Sequence, residues 1–403
     1  MADQRILKLA KVITEYYSPI RKSDRVYITA SPVAQPLTLA VVEQVIKLGG
    51  LPHITAGSGY HHLDLVPGAM ELLLKYGSDE QIQYLNPFEM MAVKDFDVRI
   101  AIKGDVNTKS LSNVDPKKIA LLTASRRELT ENFMRRSASG ELRWTVTMFP
   151  TEASAQDADM SLHEYEDFVY GACLLDDPDP VARWRAFAVG QQKYVDWLVG
   201  KKRIQVKGPN CDLMVGVVDR TFINSDGTKN MPDGEIFTGP EETVTEGWVK
   251  FTYPAIYQSR EVEGVELEFK QGKVVKATAQ KGQDFLLAVL DTDAGSRTLG
   301  EFAIGTNHAI KKFTRNILFD EKLGGTIHMA LGAAYPETGG VNKSAVHWDM
   351  ICDTRDGTEI TVDGVPFYGN GEFLIKKSRQ EISRQGEMPR RMSLCFIARN
   401  QAS

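Results

Sequence analysis

Four segments in the C-terminal half of the chain carry groups that bind metal ions. GEIFTGP (234–240) places Glu235 in a segment bounded by Gly and Pro. LGEFAIGTN (299–307) places Glu301 in a short apolar run. LFDEKLGGTIHMALGAAYPE (318–337) holds Glu321, His328 and Tyr335, and NKSAVHWDMICD (342–353) holds His347 and Asp349. Residues two apart on a strand point to the same face. His347 and Asp349 can therefore reach one metal, or one each of an adjacent pair, while Val346 and Trp348 face the other way. GGTIHMALG also reads as extended and offers His328 as a second imidazole. Glu235, Glu301 and Glu321 supply carboxylates. Mixed nitrogen and oxygen ligands suit Zn, Mn, Co or Fe rather than Cu(I). An excess of carboxylate favours two ions, because a bridging carboxylate offsets their repulsion. Such a pair, about 3.5–4 Å apart, activates a water and polarises a carbonyl. Each residue also has a plainer reading: a single Glu is usually on the surface, and a His in an apolar run is usually a hydrogen-bonded core residue. Periodicity alone does not bring the four segments together.

The elements that must position these groups divide by pattern. In the first half, helix and strand signals alternate. Ile6, Leu9, Ala10, Ile13 and Tyr17 fall on one helical face. RVYITA (25–30), LPHITAG (51–57), FDVRIAI (96–102) and RWTVTMF (143–149) read as buried strands. A helix is expected between Pro36 and Gly49, another around Met70, Leu73 and Leu74, and one from Pro116, capped by Asp115, to about Arg136. Strands alternating with helices imply a parallel sheet covered on both faces. Two helices follow, over 162–174 and 181–199, and short strands dominate after Gly200. VELEFKQGKVVKATA (265–279) reads as a hairpin turning at Gly272, and TEITVDG (358–364) as a strand. The expected architecture is an α/β N-terminal domain with a mainly parallel sheet, residues 1–200, followed by a strand-rich α+β catalytic domain, residues 201–403. The boundary falls anywhere from about 105 to 200.

Composition excludes several classes. The 403 residues are 42% hydrophobic and 25% charged, as in an ordinary globular protein, and the net charge is −5. That argues against an overall basic nucleic-acid binder. No run of 18 apolar residues offers a membrane span, and the first 25 residues lack a secretory pattern. Cys173, Cys211, Cys352 and Cys395 form no CxxC, which points to a reducing, cytoplasmic setting and away from a thiolate zinc site. Gly57-Ser58-Gly59 opens a dinucleotide fingerprint that fails at His62. His61, His62 and Asp64 read as a surface loop, and the basic stretch 117–136 reads as a solvated helix face.

Taken in order, MPDGEIFTGP (231–240), LGEFAIGTN (299–307), RNILFDEKLGGTIHMALGAAYPE (315–337) and NKSAVHWDMICDTRDGTEITVDG (342–364) resemble the thermophilic aminopeptidase family, which includes aminopeptidase T, aminopeptidase S and PepS-like leucyl aminopeptidases. KLAKVITEYYSPIRKSDRVYITASPVAQPL (8–37) extends the resemblance to the N-terminus. The resemblance implies a homodimeric exopeptidase with two divalent ions (Zn, Co or Mn), acting on short peptides. By motif it carries metal ligation to Glu235, Glu301, Glu321, His328, His347 and Asp349, with Glu301 bridging. It carries an active-site tyrosine to Tyr335. Catalytic roles then fall on Glu235, Glu301 and Tyr335. Relative to some members of the family, two residues are inserted within KLGGTI, between Glu321 and His328. The rival implied by the same resemblance is a mononuclear Fe(II) dioxygenase that opens hydroxypyridine rings, since a two-His-one-carboxylate site needs fewer acids.

Overall fold

The computed structural model describes residues 3–56, 66–258 and 260–375. RVYITA forms the strand Arg25–Ala30, buried at every position after Arg25. It pairs in parallel with Leu51–Ala56 on one side and Val98–Lys103 on the other. Arg143–Met148 continues the parallel sheet, and the two-residue strand Asn230–Met231 completes it. Near-continuous apolar strands of this kind need cover on both faces. The cover includes Gln4–Val12 and Gln35–Lys47, whose buried residues include Ile6, Leu9, Leu37 and Val41. Trp184, from the long helix Pro180–Leu198, is fully buried in the same core, as are Phe319 and Leu323.

The rest is antiparallel. An eight-stranded sheet runs in the spatial order 273–278, 266–270, 246–250, 211–216, 203–208, 359–362, 365–369, 372–373. The hairpin between Glu266–Lys270 and Lys273–Thr278 turns through Gln271 and Gly272, with φ of 49° and 77°. Two left-handed residues match the twist of the strands. A Cβ on Gly272 would lie 1.8 Å from the Glu242 carbonyl oxygen, so only glycine fits. A five-stranded sheet runs in the order His347–Asp353, Thr326–Gly332, Leu299–Gly305, Glu235–Thr238, Ile223–Ser225. One face of each sheet contributes to a shared core that includes Val206, Leu213, Leu267, Phe302, Met329 and Trp348. The other face of the five-stranded sheet carries the chemistry.

The expected α/β half and strand-rich half are both present. One helix differs. The stretch expected from Pro116 to Arg136 is two helices, Pro116–Ser125 and Arg127–Ala138. Arg126 breaks the run at φ −92°, ψ 7°, and its guanidinium meets the buried carboxylate of Glu89 at 3.3 Å. Gly57, Gly59, His61, His62, Asp64 and Cys395 lie outside the described residues. Among the described residues, no helix is long and apolar enough to cross a membrane.

Candidate metal centre

Cross-strand register collects the site residues on one sheet face. Glu301 pairs with Ala330, and Ala330 pairs with Asp349. His328 lies two residues before Ala330 and His347 two before Asp349, so both share that face. Glu235 stands opposite Gly305 and joins them. A bulge sets the phase. Leu299 pairs with Leu331, but the register shifts before Glu301 pairs with Ala330. Strict alternation would turn Leu299 and Glu301 the same way. The extra residue, Gly300, lets Leu299 face the core and Glu301 face the site. A Cβ there would meet the Gly332 and Ala333 carbonyl oxygens at 2.4 Å.

The geometry is tight. Glu301 Oε1 lies 3.4 Å from His328 Nε2, and Glu301 Oε2 lies 3.4 Å from His347 Nε2. His328 Nε2 is also 3.4 Å from Glu235 Oε2, and His347 Nε2 is 3.6 Å from Asp349 Oδ2. Three groups of ligand atoms each fall within 4.8 Å of one another: Glu235, Glu301 and His328; Glu301, His347 and Asp349; Glu321, His328 and Asp349. All six sequence-chosen ligands are therefore brought together. Tyr335 sits at the rim, its ring edge-on to His347 and Phe237 at 5.3 and 5.5 Å.

The donor set fits a divalent metal. Glu235, Glu301 and His328 are buried. Glu235 Oε2 and Asp349 Oδ1 are buried without a hydrogen-bond partner among the described residues. Buried polar atoms are normally satisfied, so these acceptors call for a cation. His347 Nδ1 donates to the Ala333 carbonyl at 2.9 Å, which turns Nε2 to the site, where it can bind a metal once it has lost its proton.

Charge is unevenly held. Burial pushes the Glu235 carboxyl up to about 7, against the opposing pull of Lys322 and His328. Burial also opposes ionisation of Glu301, but hydrogen bonds from His328 and His347 outweigh it and hold Glu301 down to about 2. Burial works against a charged His347, but Asp349 and Glu301 overcome it and raise the imidazole to about 10. His328 is raised in the same way by Glu301 and Glu235. Burial raises the Tyr335 phenol, so it stays a hydrogen-bond donor at neutral pH.

Supporting residues escaped the sequence reading. Gln191, from the helix Pro180–Leu198, donates to the Glu235 and Ser225 carbonyls at 2.8 and 2.9 Å and accepts from the Thr306 hydroxyl. Asp233 accepts from the Gly227 and Gly234 amides at 3.0 and 2.9 Å, bracing the backbone just before Glu235. Lys322 is fully buried beside Glu321 and Glu235. Its adjacency to the Asp320-Glu321 pair was the available signal, yet a lysine ordinarily reads as surface.

Residues 2–373 match the sequence model of the thermophilic metalloproteases, M29. This chain belongs to the thermophilic metalloprotease family. Aminopeptidase 2 of Geobacillus stearothermophilus is 30% identical over 305 residues, covering 67% of this chain and 73% of that protein. Aminopeptidase T of Thermus thermophilus is 25% identical over 405 residues, covering 92% and 97%. The solved structure of wild-type AmpT from Thermus thermophilus superposes with a TM-score of 0.79 at 22% identity, covering 92% of this chain and 99% of that one. A 2,5-dihydroxypyridine dioxygenase from Pseudomonas putida shares the fold at a TM-score of 0.55 and 12% identity, covering 92% and 97%. Membership of this metalloprotease family implies use of a divalent metal, and the clustered carboxylates and imidazoles are its candidate ligands.

Proposed function

We propose that this metalloprotease is an aminopeptidase that releases the N-terminal residue of short peptides. It does so with two divalent ions (zinc, cobalt or manganese) held by Glu235, Glu301, Glu321, His328, His347 and Asp349. One observation carries the two-ion reading: the two oxygens of Glu301 face different imidazoles, each at 3.4 Å. A carboxylate so placed is suited to bridge. Bound there, the ions supply a water acidic enough to attack at neutral pH and a Lewis acid for the scissile carbonyl.

The chain's own residues do the rest. A carboxylate of the site, Glu235 or Glu301, takes a proton from the attacking water and passes it to the leaving amine. Tyr335 donates a hydrogen bond to the oxyanion that forms at the carbonyl carbon. Glu301 fixes the spacing of the two imidazoles. The acidic surroundings favour a substrate with a free α-amino group over an acylated one. With the boundary placed at 200, the described residues up to it form the N-terminal domain, whose sheet also takes in Asn230–Met231, and those from 201 to 375 the catalytic domain. In a homodimer the N-terminal domain helps enclose the site, admitting short peptides and excluding folded chains. Efficient removal of residues from an ordered protein N-terminus would count against that enclosure. The three described cysteines are buried free thiols, which supports a cytoplasmic setting.

Ring cleavage at a single iron is the weaker reading. Glu235 and Glu301 both converge on the imidazoles beside Asp349, more carboxylate than one iron needs. The test is Glu301→Gln, assayed on aminoacyl-p-nitroanilides with added Co²⁺, Zn²⁺ or Mn²⁺. Loss of turnover is expected, and unchanged turnover would overturn the assignment. A native content of one iron per chain would revive the oxygenase.

A further inference from the structure

The mechanism leaves one buried cation unused. Lys322 is 0% exposed, and its Nζ makes no well-formed hydrogen bond among the described residues. The Nζ meets the Glu321 carboxylate and lies 3.7 Å from Glu235 Oε1. Both partners belong to groups able to hold a metal with His328, whose Nε2 faces Glu301 Oε1; the group of Glu321 also takes in Asp349. The other side, at Oε2, is served by His347 and Asp349. Among the described residues the ion pairs of Lys322 are with Glu321 and Glu235, not with Glu301 or Asp349, so it draws chiefly on the carboxylates around His328.

Resting on the two-ion reading above, we infer that Lys322 is a resident cation that makes the two positions unequal. The ion held by Glu301 Oε2, His347 and Asp349 binds tightly. The ion at Glu235 and His328 binds weakly and exchanges. A fixed ammonium competes for the same carboxylates and repels an incoming divalent ion, and low dielectric makes that repulsion strong. The same charge holds Glu321, and Glu235 once ionised, in place when the second position empties, because neighbouring carboxylates without a counter-charge would repel. Lys322 is thus a positioning residue. It touches neither substrate nor the reacting atoms.

The test is a stepwise titration of the full chain, stripped with chelator, using Co²⁺. Calorimetry reads the affinities and visible absorption reads the coordination. Wild type is expected to take up two equivalents in steps separated by at least about tenfold in Kd. Lys322→Met, nearly isosteric but neutral, should tighten the second step about tenfold and leave the first unchanged. Lys322→Gln provides a second neutral variant, and thermal melts check that each is folded. If wild type takes up a single equivalent, gain of a second in Lys322→Met supports the inference and no gain overturns it. Two equal affinities in wild type, or a folded Lys322→Met with an unchanged or weaker second step, would also overturn it. A wild type that binds no divalent ion removes the two-ion reading as well. Because the readout is binding, failure of peptide turnover alone leaves this result distinguishable.

Discussion

Glu301 and Asp349 stand in one cross-strand row with only Ala330 between them. The methyl group of Ala330 leaves room for the two carboxylates to converge above the middle strand. Replacing it by leucine fills the space where the ions would bind. The expected cost to folding is about 1–3 kcal/mol, typical of an enlarged buried side chain. Ala330→Leu should therefore stay folded by circular dichroism while losing metal uptake and turnover. Full metal content in the folded variant would contradict the placement.

Tyr335 provides a separate handle on the chemistry. Its phenol is held protonated, and its ring is fixed edge-on to His347 and Phe237. Tyr335→Phe keeps the ring and removes only the donor. Losing one oxyanion donor typically lowers kcat by about 10²–10³. That fall, with KM within about twofold, is expected from steady-state kinetics. A rise in KM with kcat unchanged would move Tyr335 from the transition state to substrate binding.

Metal uptake should release protons. In the metal-free chain His347 stays charged up to about pH 10 and Glu235 stays neutral up to about pH 7. Ligands bind in their deprotonated forms, so protons and metal compete. Affinity should fall as pH drops, and more steeply below about 7, where Glu235 must also give up a proton. Calorimetry at pH 6 and pH 8, in buffers of different ionisation enthalpy, counts the protons. More release at pH 6 than at pH 8 is expected, and none at either would contradict the electrostatics.

Trp348 faces away from the two site residues that flank it. It is 1% exposed and stacks on Tyr257 at 5.3 Å in the shared core of the two antiparallel sheets. Trp348→Ala should destabilise the protein by about 3–5 kcal/mol through the cavity it leaves. Denaturant unfolding measures this directly. Destabilisation under about 1 kcal/mol would mean that the core closes over the gap.

Much of this was legible in the residue order. The i, i+2 spacing of His347 and Asp349 needs only a strand, and the strand His347–Asp353 is there. Buried strands such as RVYITA declare themselves by continuous apolar β-branched character. Convergence of the four segments was not legible from spacing, because cross-strand register is a long-range property. The bulge at Gly300 illustrates the difficulty: without it, alternation would send Glu301 into the core beside Leu299. The break at Arg126 was hidden for a similar reason, since the residue meets a carboxylate 37 positions earlier, on Glu89, a contact that spacing does not show. Gln191 and Lys322 were missed because each reads as a surface residue until its neighbours are known.

The central claim is that a metal pair bridged by Glu301 lets this chain remove residues from a free N-terminus. Its most direct test is turnover of leucyl-p-nitroanilide and of N-acetyl-leucyl-p-nitroanilide, followed as metal is added back to the stripped chain. The expected result is no turnover without metal, activity that rises until two equivalents are bound, and cleavage of the free-amine substrate only. Activity that survives stripping, saturates fully at one equivalent, or treats the two substrates alike would contradict it.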